Sequence, residues 1–250
     1  MKTKGKKVLL IDNSNTRTKF LISHDGRIDG ELAVLPTSDI SVESVCNLLP
    51  VNDYDAVFVS SVVPASREVL ERCFCAPVHF IKHNSSKQLK FDYPGVATLG
   101  ADRIANVLGA MADGVVPSMV IDAGTAVTFD VLLERDGLPT YVGGAIAPGL
   151  SAFTGYLHSK TAQLPSVSLA GEIPAIGKNT VEAIQSGAIF GFCGMVHGII
   201  AKICEELPVK PRIILTGGDA ALLHNELNMT TEVDVRLMFK GMLAVANEWS

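Results

Sequence analysis

Lys7-Val8-Leu9-Leu10-Ile11-Asp12-Asn13-Ser14-Asn15-Thr16 is an apolar strand that ends in a carboxylate and a small polar turn, and the pattern returns later in the chain. The first copy continues into Lys19-Phe20-Leu21-Ile22 and an Asp25-Gly26 turn. The second is Met119-Val120-Ile121-Asp122-Ala123-Gly124-Thr125, followed by Val127 to Leu133 and Asp136-Gly137. Each predicts a hairpin with Asp at the end of its first strand and a Thr in the tight turn. One such turn alone reads first as an Asx-turn closing a hairpin; its recurrence in both halves points to a shared task. A carboxylate and a hydroxyl beside exposed backbone N–H groups, presented twice, suit a nucleotide triphosphate and its metal held from two sides.

Around these turns, apolar runs alternate with helical patterns, which predicts an α/β protein. Strands are expected at Lys7–Asp12, Thr18–Ser23, Ala56–Ser61, Val78–Ile81, Ser118–Asp122, Val127–Leu133 and Arg212–Leu215. Helices are expected at Val42–Leu49, Ser66–Cys75, Ala101–Met111, Thr180–Glu206 and Val235–Asn247. The break at Asp113-Gly114-Val115-Val116-Pro117 separates two similar halves, so the expected domains are residues 1–117 and 118–250, with a cleft between them. At 250 residues, 48% hydrophobic and 19% charged, the chain has ample material for both cores.

A net charge of −5 argues against a nucleic-acid partner, which needs a basic face. The Lys2-Lys4-Lys6-Lys7 start resembles a signal n-region, but Asp12 interrupts the apolar run after Ile11, and no stretch is expected to span a membrane. Five cysteines without a CxxC pair fit a reducing, cytoplasmic setting. Cys73, Cys75, His79 and His83 mix metal-ligand types over a short span, with ordinary packing as the alternative reading.

Three further motifs carry chemistry. Gly171-Glu172-Ile173-Pro174-Ala175-Ile176-Gly177-Lys178-Asn179-Thr180 approaches a P-loop but has one residue too many and Asn after the Lys. Arg212-Ile213-Ile214-Leu215-Thr216-Gly217-Gly218-Asp219 is a strand running into a Gly pair, where no Cβ keeps a flat ring from the backbone. With the two Asp turns it suggests a nucleotide cradle of the actin, hexokinase and Hsp70 type. Leu99-Gly100-Ala101-Asp102-Arg103 places an acid and a cation in the first turn of a helix. Asp102 reads either as a residue complementing the helix dipole or as a base for a hydroxyl.

Together these segments, with Tyr93-Pro94 and Gly143-Gly144-Ala145-Ile146-Ala147-Pro148-Gly149, closely resemble the type III pantothenate kinase family. The resemblance implies two duplicated ribonuclease H-like domains, a homodimer, and transfer of the ATP γ-phosphate to the primary hydroxyl of pantothenate. It implies Asp102 as proton acceptor, and Tyr93, Gly100, Ala101, Asp102, Arg103 and Thr180 as pantothenate contacts. ATP phosphates would meet Asp12, Asn13, Ser14, Asn15, Thr16, Arg17, Thr18 and Lys19, with Thr125 also on ATP. Mg2+ would accompany the nucleotide, and Asp122 would hold a monovalent cation, K+ or NH4+. Ser14 stands where the family's first turn usually has Gly, a substitution compatible with negative φ. Other readings are a kinase of another small alcohol on the same fold, or a nucleotide-binding regulator without turnover.

Overall fold

The computed structural model describes residues 6–161, 163–169 and 171–249. The chain opens with strands β1 (Lys7–Asn13), β2 (Arg17–His24), β3 (Arg27–Ile28) and β4 (Ala33–Pro36), then helix α1 (Val42–Leu48). There follow β5 (Ala56–Ser61), α2 (Arg67–Cys73), β6 (Val78–Phe80), β7 (Lys90–Phe91) and α3 (Ala101–Ala112). Next come β8 (Ser118–Ala123), β9 (Ala126–Arg135), β10 (Leu138–Pro148), α4 (Leu150–Lys160) and α5 (Thr180–Glu206). The last elements are β11 (Arg212–Thr216), α6 (Ala220–Glu226), β12 (Glu232–Val233) and α7 (Leu237–Glu248).

One sheet has the order β3-β2-β1-β5-β6, with β4 also paired to β2; the other runs β10-β9-β8-β11-β12, with β7 beyond β10. In chain order both are the same sheet: three consecutive strands side by side, then two later strands added on the other side of the first. β1 pairs antiparallel with β2 and parallel with β5, as β8 pairs parallel with β11. The likeness reaches the turns, since Asp25-Gly26 has φ of 49° and 73° and Asp136-Gly137 has 52° and 75°. Two successive left-handed residues match the strand twist in a tight hairpin, and Asp-Gly supplies them at low cost. The α/β class with duplicated halves, expected from the sequence, is the observed one.

Packing sorts the chain into two compact units. One holds residues up to Val116, Leu132–Val142 and those from Arg236 onward; the other holds Pro117–Val131 and Gly143–Val235. β9 and β10 are each divided between the units, and α7 belongs with the first. Within the first unit β1 is buried on both faces, which is why it reads as a continuous apolar run rather than an alternation. Leu9 and Ile11 face Val45 and Leu70, whereas Val8 and Leu10 face Ile104, Leu108 and Met242. α3 and α7 approach so closely that a Cβ on Gly109 would collide with the Leu237 carbonyl, and one on Gly241 with the Ala105 carbonyl. This contact fixes the helix whose first turn carries Asp102.

Seven of the observed elements are absent from the sequence reading, β3, β4, β7, β10, β12, α4 and α6, and β10 and α4 are the longest of them. Leu138–Pro148 and Leu150–Lys160 look like loop because Pro139, Gly143, Gly144, Pro148, Gly149 and Gly155 punctuate them, yet they form β10 and α4. At Gly144 a Cβ would run into the Phe129 carbonyl, so this glycine serves a close strand approach rather than a turn. The expectation that no stretch could span a membrane also needs correction. Among the described residues α5 is long and apolar enough, with a mean hydropathy of 1.6 and 33% of that window buried. Its buried side includes Ile184, Ile189, Phe192, Val196 and Ile200.

Gly144→Ala should destabilise the protein by about 1–3 kcal/mol through overpacking against backbone. Chemical denaturation measures this, and a midpoint equal to the native one would show that the strands have room to part.

Candidate active site

The end of β1 is built around Asp12, whose side chain is 4% exposed. Its Oδ2 accepts from Lys19 Nζ at 2.9 Å and its Oδ1 from Ser14 Oγ at 2.5 Å. Antiparallel register sets Lys19 directly across from Asp12, so the ion pair is a property of the hairpin itself. On the other sheet face, Asn13 Nδ2 donates to Thr18 Oγ1 at 2.8 Å and Ser61 Oγ donates to Asn13 Oδ1 at 2.6 Å. Thr37 Oγ1 lies 3.0 Å from Thr18 Oγ1 and donates to the Ser14 carbonyl at 2.7 Å. These bonds brace the turn from behind, leaving Asn15, Thr16 and Arg17 exposed at its tip. Ser14 is absent from the positive-φ residues, which besides glycine are Asp25 and Asp136 among the described residues, so serine sits there without backbone strain.

Asp102 belongs to the same unit, in the first turn of α3. Its Oδ1 accepts from the Arg103 amide at 2.8 Å and folds back over Gly100, where a Cβ would collide with that oxygen. A side chain at position 100 would displace the Asp102 carboxylate from this position. Burial raises the Asp102 carboxyl above the ordinary carboxylate range. Its bond to the Arg103 amide and the Arg103 guanidinium oppose the rise, and the charge on Asp12 adds to it. The influence of Asp12 places the two carboxylates within electrostatic reach. Arg103 is 8% exposed with its guanidinium 6.0 Å from the Tyr141 ring centre, and Tyr93 packs edge-on to Tyr141 at 5.5 Å. Asp12, Lys19, Tyr93, Gly100, Asp102 and Arg103 are therefore all carried by the first unit.

The second unit carries Asp122, Thr125 and Thr180. Asp122 ends β8 beside β11, and Gly217, at φ 90°, packs against it; a Cβ there would stand 2.5 Å from Asp122 Oδ1. The Asp219 amide donates to the Ala123 carbonyl at 3.0 Å, and the Gly149 amide to the Thr125 carbonyl at 3.2 Å. The Asp122 carboxylate and the Ala123 carbonyl thus lie together beside Gly217, and oxygen donors of this kind suit a hard cation. Burial also raises the Asp219 carboxyl. Thr180 is exposed at the first turn of α5. The near-P-loop before it is a helix cap: the Glu182 amide donates to Asn179 Oδ1 at 3.0 Å and the Lys178 amide to Glu182 Oε2 at 2.7 Å. Asn179-x-x-Glu182 is the sequence signal for it.

The bracing residues Thr37 and Ser61 escape the sequence reading because their partners lie 23 and 48 positions away. Of Cys73, Cys75, His79 and His83, the first is buried, His79 is half-buried, and Cys75 and His83 are exposed. His79 lies 5.0 Å from Phe58 and 4.6 Å from Trp249 by ring centres, and Cys75 Sγ donates to Asn52 at 3.1 Å. Burial pushes the Cys73 thiol up to about 11. Among the described residues no three His, Cys, Asp or Glu side chains are placed to share a metal ion.

Comparison with known proteins adds to this geometry. A family model described as type III pantothenate kinase matches residues 8–202. A type III pantothenate kinase of Akkermansia muciniphila is 42% identical over 95% of this chain and 97% of its own length. One from Methylacidiphilum infernorum is 35% identical over 94% of this chain and 86% of its own. A Campylobacter jejuni crystal structure described as a Baf family transcriptional activator superposes with a TM-score of 0.65, covering 96% of this chain and 98% of that one. At 21% identity, that likeness speaks for the fold alone.

The raised Asp102 value has a consequence for stability. A carboxyl whose folded value lies above its unfolded one contributes stability at low pH that is lost as the pH rises through the folded value. Above that folded value the ionised, half-buried Asp102 therefore weakens the fold. Asp102→Asn should melt at or above the native temperature near neutral pH, with the gap narrowing as the solution is acidified. A variant that melts clearly below the native protein near neutral pH would contradict this.

Proposed function

The chain belongs to the type III pantothenate kinase family, and from that premise we propose how its residues divide the work. The reaction transfers the γ-phosphate of ATP to the primary hydroxyl of pantothenate, giving 4′-phosphopantothenate, the first step toward coenzyme A. The observation that carries the catalytic assignment is the half-buried Asp102 carboxyl, held over Gly100 in the first turn of α3 by the Arg103 amide and in the same unit as the Asp12 turn. Its raised value suits a base that must hold a proton briefly while the O–P bond forms. Arg103 faces the pantothenate carboxylate, with Tyr93 and the Gly100–Ala101 backbone shaping the rest of that subsite. Thr180 offers its exposed hydroxyl to the same substrate.

Phosphoryl transfer needs positioning and charge balance more than covalent help. The amides and side chains of the Asp12–Lys19 turn receive the phosphates, with Thr125 as a further contact. Mg2+ travels with the triphosphate, in keeping with its preference for phosphate and water over all-protein cages. Asp122, with the Ala123 carbonyl nearby, would hold K+ or NH4+. When bound, that ion would supply positive charge to offset the charge of the nucleotide.

The active form is a homodimer in the cytoplasm. α5 supports this: Gly187, Phe190, Gly191, Gly194 and Gly198 lie on its exposed side. At Gly187, Gly194 and Gly198 a Cβ would meet nothing within 4 Å, so no packing among the described residues calls for glycine. Each costs roughly 1 kcal/mol relative to Ala in a helix interior. Close approach of the same helix from a second copy accounts for that cost and for Phe190 being 44% exposed.

Incubation with ATP, Mg2+, K+ and pantothenate should release ADP and yield phosphopantothenate by mass analysis. Product from another small alcohol alone, or nucleotide binding without ADP, would reject the pantothenate assignment. Asp102→Asn should lower kcat about 10²–10⁴-fold while keeping ATP affinity, and near-native turnover would remove it as the base. Replacing K+ with a bulky organic cation should reduce the rate; equal rates would dismiss the Asp122 cation. Phe190→Glu should shift the light-scattering mass from dimer to monomer, and an unchanged dimer would place the interface elsewhere.

A further inference from the structure

Ser60 is 1% exposed, and its hydroxyl has no hydrogen-bond partner among the described residues. Ser23 and Ser118 share that condition, but Ser23 lies opposite Val8 at the far end of β2 and Ser118 at the start of β8. Ser60 instead sits near the end of β5, beside the phosphate turn, and parallel register makes it the direct neighbour of Asp12. Strand side chains alternate, so two residues beyond Leu10 and Phe58, Asp12 and Ser60 share the face on which those residues meet Ile104 and Leu108 of α3. Lys19 occupies the corresponding place on β2. The result is one row across three strands, Lys19–Asp12–Ser60, in which the lysine is engaged and the serine is not.

Lys19 has two demands on it. It neutralises Asp12 at 2.9 Å, yet its side chain is 34% exposed and stands at the turn assigned to the phosphates. An ammonium drawn to a triphosphate leaves Asp12 Oδ2 without its donor, in a place where water has little access. Ser14 already serves the other oxygen. Ser60 is the donor at the paired position on the neighbouring strand, and its hydroxyl bonds to nothing else among the described residues.

We propose that Ser60 is a positioning residue for Asp12, donating its hydroxyl to the carboxylate oxygen that Lys19 vacates when Lys19 turns to the triphosphate. The inference rests on the assignment of Lys19 to the phosphates. It explains why a buried strand position, with apolar residues before it, carries a hydroxyl that the free protein leaves unused. The exchange keeps Asp12 aligned during nucleotide binding, and through Asp12 it preserves the field felt by Asp102.

The test is Ser60→Ala, read by calorimetric titration with a non-hydrolysable ATP analogue and Mg2+, alongside melting of the free protein. The variant should melt at or above the native temperature without nucleotide, because it removes an unsatisfied buried group. Analogue affinity should fall about tenfold, as expected for a lost hydrogen bond to a charged group. The pantothenate KM should stay near native, and Ser60→Thr should recover part of the affinity. Native affinity in Ser60→Ala, or a free protein that melts clearly lower, overturns the proposal. Lys19→Met separates the premise from the inference. If it leaves affinity unchanged, Lys19 has no phosphate role and both fall; if it weakens binding while Ser60→Ala does not, only the Ser60 inference falls.

Discussion

A carboxylate held out of water at the end of a central strand must be neutralised, and Asp12 imposes that requirement on everything near it. An unpaired buried charge costs several kcal/mol, so the adjacent strand has to deliver a cation at one register position. Lys19 does so, and Ser14 takes the remaining oxygen. The hairpin can hold that register only if its turn is rigid. The reverse face supplies the rigidity through the bonds joining Asn13, Thr18, Thr37 and Ser61. Apolar packing on both faces of β1 then fixes the sheet against α3, and with it the distance from Asp12 to Asp102. The chemistry of the first unit is thus organised from one desolvated group outward.

Local signals were strong where a strand or helix answers mainly to its own residues. Ala56–Ser61 and Thr180–Glu206 have the bounds their patterns predict, because turn residues and an Asn cap mark their ends. β10 is a different case. Its glycines and prolines carry the composition of a loop, and the need for glycine arises from the Phe129 carbonyl on the strand beside it. No window on the sequence contains that neighbour. The same holds for the site: Asp12, Asp102 and Arg103 announce themselves by type and local setting. Thr37, Ser61 and Ser60 are ordinary residues in ordinary strands or turns until the register sets them beside the Asp12 turn. Ser14 required coordinates for another reason, since only its φ shows that serine replaces glycine there without strain.

α5 shows how one composition can serve more than one environment. Its hydropathy satisfies the length and polarity criteria for a membrane span, yet Ile184, Phe192 and Val196 are used in packing the unit. Among its exposed residues are Gly187, Phe190, Gly191, Gly194 and Gly198, along with Val181, His197 and Lys202. A lipid-facing helix would gain nothing from glycine at Gly187, Gly194 and Gly198, where branched or long apolar chains would bury more surface. A backbone approaching from another helix gains directly from their absence of side chains.

The duplicated turns solve one electrostatic problem by different means. β2 begins Arg17-Thr18-Lys19 and provides a covalently attached cation for Asp12. β9 begins Ala126-Val127-Thr128-Phe129, with Val127 and Phe129 fully buried, so the returning strand has no basic residue to offer Asp122. Gly217 brings backbone against that carboxylate, beside the Ala123 carbonyl. A built-in lysine is always present and needs no ligand, but it is strongly hydrated and must give up one partner to meet another. An ion drawn from solvent carries no such tether and leaves the carboxylate free to follow the charge of the nucleotide. On the proposed reading, divergence at two equivalent strand starts converted one copy of the hairpin into a fixed ion pair and the other into a site for an exchangeable cation. The same backbone then carries both charge arrangements, and the difference lies in which side chain the returning strand presents.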